Sequence, residues 1–311
     1  MILLITNKRD ITTDYIVREL RKRKLKYYRL NTESLSSYEC SIGYQAMDDW
    51  RIGSIEGRNV QSAYFRRPSP PEYSKSIDAN ENEYLASEWL AFLKSIYARL
   101  EGKWFNSPVA IALAEDKPKQ LLLAKEAGFS VPNGLITNVT NDLIENVGAS
   151  GLIIKPVRQG LIEGGHEKVI FTSRIPTVTS KNTSAISHVP SIFQKEIRKK
   201  FDVRVTIVGT HIFSVAIYSQ NAEQTRVDWR RGGRIDLCHQ IITLPATVER
   251  SCLELASMLN LRFGALDLIC DKDDKYWFLE INPNGQWAWI ENQTKLPIAS
   301  AIVDELAACG S

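Results

Sequence analysis

Two carboxylates in the C-terminal part of the sequence are spaced to face each other. Ala265–Cys270 and Tyr276–Asn282 have the residue types of strands, and the polar turn Lys272–Lys275 between them predicts an antiparallel hairpin. With that turn, Asp267 lies directly opposite Glu280, and their Cβ atoms are about 4.5–5.5 Å apart. Because two carboxylates so close repel each other in an otherwise apolar segment, the pattern predicts a bound cation.

The ligand types favour magnesium. Side chains alternate along a strand, so Asn282 shares a face with Glu280. Hard oxygen ligands without a nearby His or Cys favour Mg²⁺ over zinc, and Mg²⁺ usually completes its shell with phosphate oxygens and water. We therefore predict Asp267, Glu280 and Asn282 as metal ligands beside a nucleotide. The alternative is a surface hairpin in water, which the rigid turn beginning at Pro283 disfavours.

A lysine and a glycine-bearing loop supply a second candidate for phosphate binding. Lys155 lies in the apolar strand Gly151–Pro156, where a lysine is uncommon unless it meets an anion. The following loop contains Gly160, Gly164 and Gly165, whose backbone N–H groups could cover phosphates. Ordinary hairpin glycines are the alternative, since the spacing is not that of a Walker loop.

Several segments together resemble one family. Asp267 followed by FLEINP resembles the C-terminal metal signature of ATP-grasp carboxylate–amine ligases, and the continuation NPNGQWAWIE resembles the graspetide, or microviridin-type, synthetases that mature ribosomally made peptides. YFRRP at 64–68 and DWR at 228–230 resemble further segments of these enzymes. The resemblance spans the whole chain and implies an α/β protein with the ATP-grasp fold.

The same resemblance implies three domains. They are an N-terminal open α/β domain over 1–114, a central α+β lid domain over 115–192 and a C-terminal mixed-sheet domain over 193–311. The opening strand, helix and strand form a β-α-β unit that predicts a parallel sheet. Within the chain, Lys103–Asn106 is predicted as a strand and the polar Lys181–His188 as a linker or mobile loop.

The resemblance also assigns residues to the nucleotide. It implies that Lys117 and Lys155 reach the phosphates, and that three residues of the hinge strand read the adenine edge, with Asp202 a candidate for the ribose. The hinge residues are Gln194, Glu196 and Ile197. Taken alone, Lys117 is a helix-start lysine and the hinge segment an ordinary edge strand.

Four arginines complete the predicted site. By resemblance Arg230, with Arg204 beside it, meets the γ-phosphate and acyl-phosphate oxygens, a task suited to a bidentate cation. A solvated Arg-Gly turn is the alternative. Arg66 and Arg67 follow the strand Ser62–Phe65, where open α/β sheets place ligands, and are predicted to bind substrate.

These assignments imply an ATP-dependent, ADP-forming ligase. A carboxylate does not acylate an amine at neutral pH, so ATP would first convert it to an acyl phosphate. A Ser/Thr hydroxyl or Lys amine of the same precursor peptide would then capture it, giving a cyclic ester or amide. Two alternatives stay open: a ligase that adds a free amino acid to a protein or small molecule, and a nucleotide-binding regulatory module without catalysis.

Composition limits the other possibilities. The 311 residues carry a net charge of +3, too small to argue for nucleic acid, although a basic run over Arg18–Arg29 is either a polyanion site or, more commonly, the solvated face of a helix. Five scattered cysteines indicate reduced thiols. No signal peptide or membrane span is expected, so we predict a cytoplasmic protein, and the family implies a homodimer.

Overall fold

The structure is a computed structural model that describes residues 1–72, 78–158, 161–162, 168–232 and 237–309. The described elements fall into three consecutive groups, each built around a sheet. The α/β class predicted from the sequence is confirmed. No helix among these residues combines the length and apolar character needed to cross a membrane.

The N-terminal group contains a parallel sheet and a small antiparallel one, with strand orders β2-β1-β6 and β3-β4-β5. In chain order its elements are β1 (Ile2–Thr6), α1 (Ile11–Lys22), β2 (Tyr27–Asn31), β3 (Cys40–Ile42), β4 (Trp50–Ile52), β5 (Ile55–Glu56), β6 (Ser62–Phe65), α2 (Ala79–Arg99) and α3 (Pro108–Ala114).

The opening β-α-β unit forms as predicted, because β1 is wholly buried and α1 begins with a capped turn. The side chain of Asp10 accepts a hydrogen bond from the backbone N–H of Thr12 at 3.2 Å, as an N-cap residue does. The strand predicted over Lys103–Asn106 was wrong. The segment makes only an isolated parallel bridge, in which Ala63 of β6 donates to the backbone oxygen of Lys103 at 2.8 Å and accepts from the N–H of Phe105 at 2.9 Å, and pairing with this single residue does not extend into a strand.

The central group forms an antiparallel sheet of order β11-β8-β12-β7. Its elements are α4 (Lys117–Glu126), β7 (Gly134–Thr137), α5 (Thr140–Asn146), β8 (Ser150–Lys155), the short pair β9 (Leu161–Ile162) and β10 (Lys168–Val169), then β11 (Ser173–Thr177), α6 (Ser180–Ser187) and β12 (Ser191–Lys195). The strand β12 runs across the boundary that was predicted at residue 192.

The predicted loop over Lys181–His188 was also wrong, since most of it is α6. Thr179 and Asn182 exchange hydrogen bonds in a capping box, which pairs the backbone groups left open at a helix start. Ile186 then packs into the same buried cluster as Phe193 of β12. The polar composition of this segment gave no sign of a helix. The helix is stabilised by the capping box and by the buried side chain of Ile186.

The C-terminal group forms a sheet of order β15-β14-β13-β16-β17, with its strand pairs antiparallel and an isolated parallel bridge between Ser130 and Trp277. Its elements are β13 (Lys199–Val208), β14 (His211–Ile217), β15 (His239–Ile241), α7 (Ala246–Met258), β16 (Phe263–Asp271), β17 (Tyr276–Asn282), α8 (Ala288–Thr294) and α9 (Ile298–Ala308).

This last sheet is buried on both faces. One face packs with α4 and α7, through residues such as Leu266 and Leu255. The other packs with α9 and the N-terminal α1 and β1, through residues such as Phe263, Ile302 and Ile16. The two layers fix β16 and β17 between them, so side chains at the strand ends have a rigid support.

Candidate active site

The hairpin β16–β17 brings the two predicted carboxylates together by means of a bulge. Leu268 pairs with Phe278, but the next pair is Asp267 with Glu280, so Leu279 is an extra residue in β17. The predicted pairing of Asp267 with Glu280 is confirmed. Without the bulge, the register of the hairpin would have put Leu279 opposite Asp267.

Three cations surround the two carboxylates. Nζ of Lys117 lies 3.3 Å from Oε2 of Glu280, and a guanidinium nitrogen of Arg230 lies 3.6 Å from Oε1. On the adjacent strand β13, Arg204 pairs with Asp267 at 2.9 Å and donates to the backbone oxygen of Gln286 at 3.1 Å. The positive charges come from three separate segments of the chain, which only the fold brings together.

These surroundings act differently on the two acids. Burial raises the pKa of Asp267, and the pull of Arg204 in the opposite direction is not enough to cancel it. Burial also opposes ionisation of Glu280, but nearby cations, Lys117 and Arg230 foremost, outweigh it and lower the pKa of Glu280. Glu280 is therefore the acid that keeps its charge most firmly.

Lys155 enters the site from β8 of the central sheet. Burial lowers its pKa to about 8, an effect that the charge of Glu280 only partly offsets. Within the described residues, no carboxylate lies within ion-pair distance of its ammonium. Its half-buried ammonium thus has no paired anion among the described residues, the condition in which a lysine can accept an anionic ligand.

Asp228 holds Arg230 in position. Its carboxylate accepts two hydrogen bonds from the guanidinium, both at 2.8 Å, and a third from the backbone N–H of Arg230 at 3.1 Å. Burial works against the ionised form of Asp228, yet the arginine bonds prevail and lower its pKa. This bidentate pair leaves one guanidinium nitrogen turned toward Glu280.

The site opens into a cleft of about 440 Å³ between the central and C-terminal sheets. Most of the predicted nucleotide-site and catalytic residues line it: Lys117, Lys155, Gln194, Glu196, Ile197, Asp202, Arg230, Asp267 and Glu280. Gly160, Gly164 and Gly165 lie outside the described residues. A cleft of this size suits a drug-sized or cofactor-sized ligand.

Two cleft-lining acids are already engaged by protein groups. Glu196 forms an ion pair with Arg174 of β11. Asp202 is buried, pairs with buried Lys199 at 2.8 Å and accepts a hydrogen bond from Ser219. Asp202 in this structure thus neutralises a buried lysine, a pairing that no spacing signal in the sequence indicates.

Asn282 and the strand that carries it are fixed by buried amides. The Oδ1 of Asn282 accepts from the backbone N–H of Asn284 at 2.9 Å. From α4, buried Gln120 donates to the backbone oxygen of Ile281 at 2.8 Å and accepts from its N–H at 3.0 Å. Gln120 therefore ties the helix that begins at Lys117 to the strand of Glu280, and sequence reasoning missed it.

The two predicted substrate arginines lie apart from the carboxylate pair. Arg66 is 1% exposed, and its guanidinium contacts Asp10, the hydroxyl of Thr12 and the backbone oxygen of Asn284, each at 3.3 Å. Arg67 has a left-handed φ of 47°, uncommon for a residue with a side chain, and also donates to Asn284. The interior contacts of Arg66 account for its burial without a ligand.

A sequence model of the RimK-like ATP-grasp domain matches residues 114–306, more than half of the chain. The chain belongs to the RimK-like ATP-grasp family. The fold predicted from the metal-site signature is thereby confirmed. Membership also explains why the cleft lies between two sheets that both fall within the matched region.

Solved structures extend the similarity beyond that domain. A macrocyclase, MdnC of Microcystis aeruginosa MRC, bound with precursor peptide MdnA, is 26% identical with a TM-score of 0.84, over 99% of this chain and 99% of that one. An ATP-grasp ligase associated with ribosomal peptides in Chryseobacterium gregarium, in complex with ADP and with leader and core peptide, is 25% identical with a TM-score of 0.84, over 99% and 96%.

Curated relatives are similar over a shorter length. A probable alpha-L-glutamate ligase of Rhodopirellula baltica is 25% identical over 210 residues, which are 65% of this chain and 49% of that protein. The chain thus spans about half the length of this relative.

Proposed function

We propose that the chain is an ATP-dependent ligase that joins side chains of a ribosomally made precursor peptide into rings through ester or amide bonds. The observation that carries the proposal is the facing pair Asp267 and Glu280, surrounded by Lys117, Lys155 and Arg230 at one end of a cleft. A triphosphate needs such a combination of cations and metal-binding oxygens. The two similar structures with peptides support the choice of substrate.

The donor set fits magnesium. Asp267, Glu280 and Asn282 offer hard oxygens from neighbouring strand positions, and the two carboxylates draw cationic side chains toward them. In the described residues no group of three His, Cys, Asp or Glu side chains could form a different metal site. When bound, Mg²⁺ would neutralise charge on the phosphates of ATP.

The chemistry needs no protein nucleophile. A peptide carboxylate oxygen attacks the γ-phosphorus, the bond to the β-phosphate oxygen breaks and ADP leaves. A Ser/Thr hydroxyl or Lys amine then attacks the acyl carbon, loses its proton and displaces phosphate. Lys117 and Lys155 would hold the phosphates, and Arg230, positioned by Asp228, would stabilise the charge that develops on the transferred group.

The remaining predicted residues take lesser parts in this proposal. Gln194, Glu196 and Ile197 would contact the adenine edge from the hinge side of the cleft. Arg204 would keep Asp267 in place, and Arg67 is the better placed of the two N-terminal arginines for substrate. The homodimer and the cytoplasmic location predicted from the sequence stay predictions, and light scattering on the purified protein tests the first.

Mass spectrometry tests the function. Candidate precursor peptides encoded near the gene are incubated with the protein, ATP and Mg²⁺. We expect one water to be lost from the peptide for each ring and one ADP to form per bond. Unchanged peptide mass with every neighbouring candidate, although the protein binds ATP, would contradict the proposal and favour a regulatory nucleotide-binding module.

A second candidate is a ligase that adds a free amino acid. The similarity to probable alpha-L-glutamate ligases favours it, and it would use the same Asp267, Glu280, Lys155 and Arg230. The same spectra separate the two functions. A peptide or protein that gains the mass of an amino-acid residue, in place of losing water, would establish tailing.

A further inference from the structure

A second cleft lies in the N-terminal group, away from the carboxylate pair. It measures about 580 Å³ and is lined at the carboxyl ends of β1, β2 and β6 by residues that include Arg9, Glu33, Arg67 and Gln286. The chain leaves β1 toward β2 on one side and reaches β6 on the other, so this edge is a point where strand order reverses. Open α/β sheets bind ligands at such a point.

Glu33 is the unusual group in this cleft. It is 7% exposed, and its Oε1 accepts a hydrogen bond from the backbone N–H of Lys8 at 2.9 Å. Its Oε2 is buried and has no hydrogen-bond partner in the described part of the chain. A carboxylate oxygen left in this state is costly, because desolvation is not compensated by any donor.

The neighbouring acids do not share this condition. Asp10 contacts Arg66 and accepts from the hydroxyl of Thr6 at 2.9 Å. Glu72 pairs with Lys8 at 2.7 Å and is largely exposed. Among the residues lining the cleft that the structure describes, Glu33 is therefore the buried acid with an open acceptor.

The cations at the cleft do not satisfy it. Arg9 and Arg67 both border the cleft, yet neither lies within ion-pair distance of Glu33, and Arg67 donates to the backbone of Asn284 at 3.3 Å. A metal ion is disfavoured, since the two neighbouring acids, Asp10 and Glu72, are already paired with Arg66 and Lys8. None of the described residues thus supplies the missing partner, a hydrogen-bond donor with positive charge.

We propose that Glu33 anchors a basic side chain of the substrate peptide, an alkylammonium or a guanidinium, in the N-terminal cleft. This inference rests on the proposed function, in which the substrate is a peptide. It gives that peptide a docking position away from the reacting groups. The position is joined to the active site by one loop. Gln286 borders the cleft, and its backbone oxygen accepts from Arg204, the partner of Asp267.

Binding of small probes without nucleotide tests the inference. The probes are Nα-acetyl-lysine N-methylamide, its arginine counterpart and the neutral norleucine counterpart, titrated by NMR or calorimetry. We expect at least one cationic probe to bind about tenfold or more tightly than the neutral one, because hydrogen bonds to charged groups are the stronger kind. Equal affinity for all three probes would overturn the inference. If the affinities differ as expected, the cationic probe that binds more tightly shows whether the cleft prefers a lysine or an arginine side chain.

The variant Glu33→Gln keeps the shape and removes the charge. We expect it to abolish the preference for cationic probes, whereas Glu39→Gln, an exposed residue of the same region paired with Arg51, keeps it. A preference retained by Glu33→Gln would overturn the inference. If that variant does not fold, the comparison of charged with neutral probes on the unaltered protein still decides. These experiments measure the binding of probes and not ligation. Failure of the docking site is therefore distinguishable from failure of the proposed ligase function, which mass spectrometry tests.

Discussion

At the scale of single residues, the site is defined by an imbalance of charge. The carboxylates Asp267 and Glu280 meet the cations Lys117, Arg204 and Arg230, and Lys155 adds a half-buried ammonium that no described carboxylate pairs with. The surplus is positive, as a site for a triphosphate requires. Asp267, Glu280 and Lys155 were predicted from residue types that are unusual in their segments, as a lysine is in an apolar strand. Lys117, Arg204 and Arg230 were predicted only by resemblance to a family.

Removing the charge of Glu280 tests its role directly. We expect Glu280→Gln to lower ATP-dependent turnover by about 10²–10³-fold, because the proposed Mg²⁺ site would lose one of its two carboxylates and with it stabilisation of the transferring group. Circular dichroism should show an unchanged fold. The matched change Glu39→Gln, at an exposed position, should leave turnover as it is. Equal turnover in Glu280→Gln and the unaltered protein would remove Glu280 from the mechanism.

Lys155 predicts a pH dependence of nucleotide binding. Its ammonium is charged below a pKa of about 8 and loses its charge as the pH rises through that value. The affinity of the free protein for ADP should therefore fall above this pH, by at most about tenfold per pH unit. Calorimetric titrations across this range measure it, and Lys155→Arg should flatten the curve because arginine stays charged. The same slope in both proteins would assign the effect to another group.

At the scale of elements, the sequence predicted the hairpin but not the device that aligns it. Alternation and a polar turn predicted that Asp267 pairs with Glu280, but in the structure the strand register beside the turn would pair Asp267 with Leu279, and the bulge at Leu279 restores the predicted pair. The helix α6 was missed because its cap and its one buried isoleucine carry little signal in a Ser/Thr-rich stretch. Gln120 was missed because any helix can carry an inward amide.

Gln120 yields a prediction about the link between α4 and β17. Gln120→Leu would leave the N–H and oxygen of Ile281 and the oxygen of Ala114 without this buried partner. We expect a loss of about 2–4 kcal/mol in the free energy of unfolding, measured by urea denaturation. Lys119→Gln, on the exposed side of the same helix, should cost much less. Equal costs would mean that these hydrogen bonds do not hold the strand.

At the scale of the whole molecule, Arg66 joins the N-terminal sheet to the loop that follows the hairpin. The sequence placed it at the correct end of β6, but sequence position cannot distinguish an arginine that faces a ligand from one that bonds the interior. Its contacts with Asp10 and Asn284 span segments that are far apart in the chain. Arg66 thus connects a residue that lines the N-terminal cleft, Asp10, with the loop that follows the hairpin of the active site.

Arg66→Leu should destabilise the protein by about 3–5 kcal/mol, because Asp10 would keep a largely buried charge without its cation. Urea denaturation measures the loss, and Arg66→Leu combined with Asp10→Asn should recover part of it. Arg58→Leu, at an exposed ion pair, serves as the control and should cost less than about 1 kcal/mol. A loss for Arg66→Leu no larger than for Arg58→Leu would show that Arg66 does not connect the two regions.

Asp267 and Glu280 mark the nucleotide site in the proposed function. A crystal structure with Mg²⁺ and a non-hydrolysable ATP analogue would show whether nucleotide binds there. We expect the triphosphate in the cleft between the central and C-terminal sheets, with Mg²⁺ bound by Asp267 and Glu280 and with Lys155 on the phosphates. Nucleotide bound elsewhere, or a metal that neither carboxylate contacts, would contradict the account.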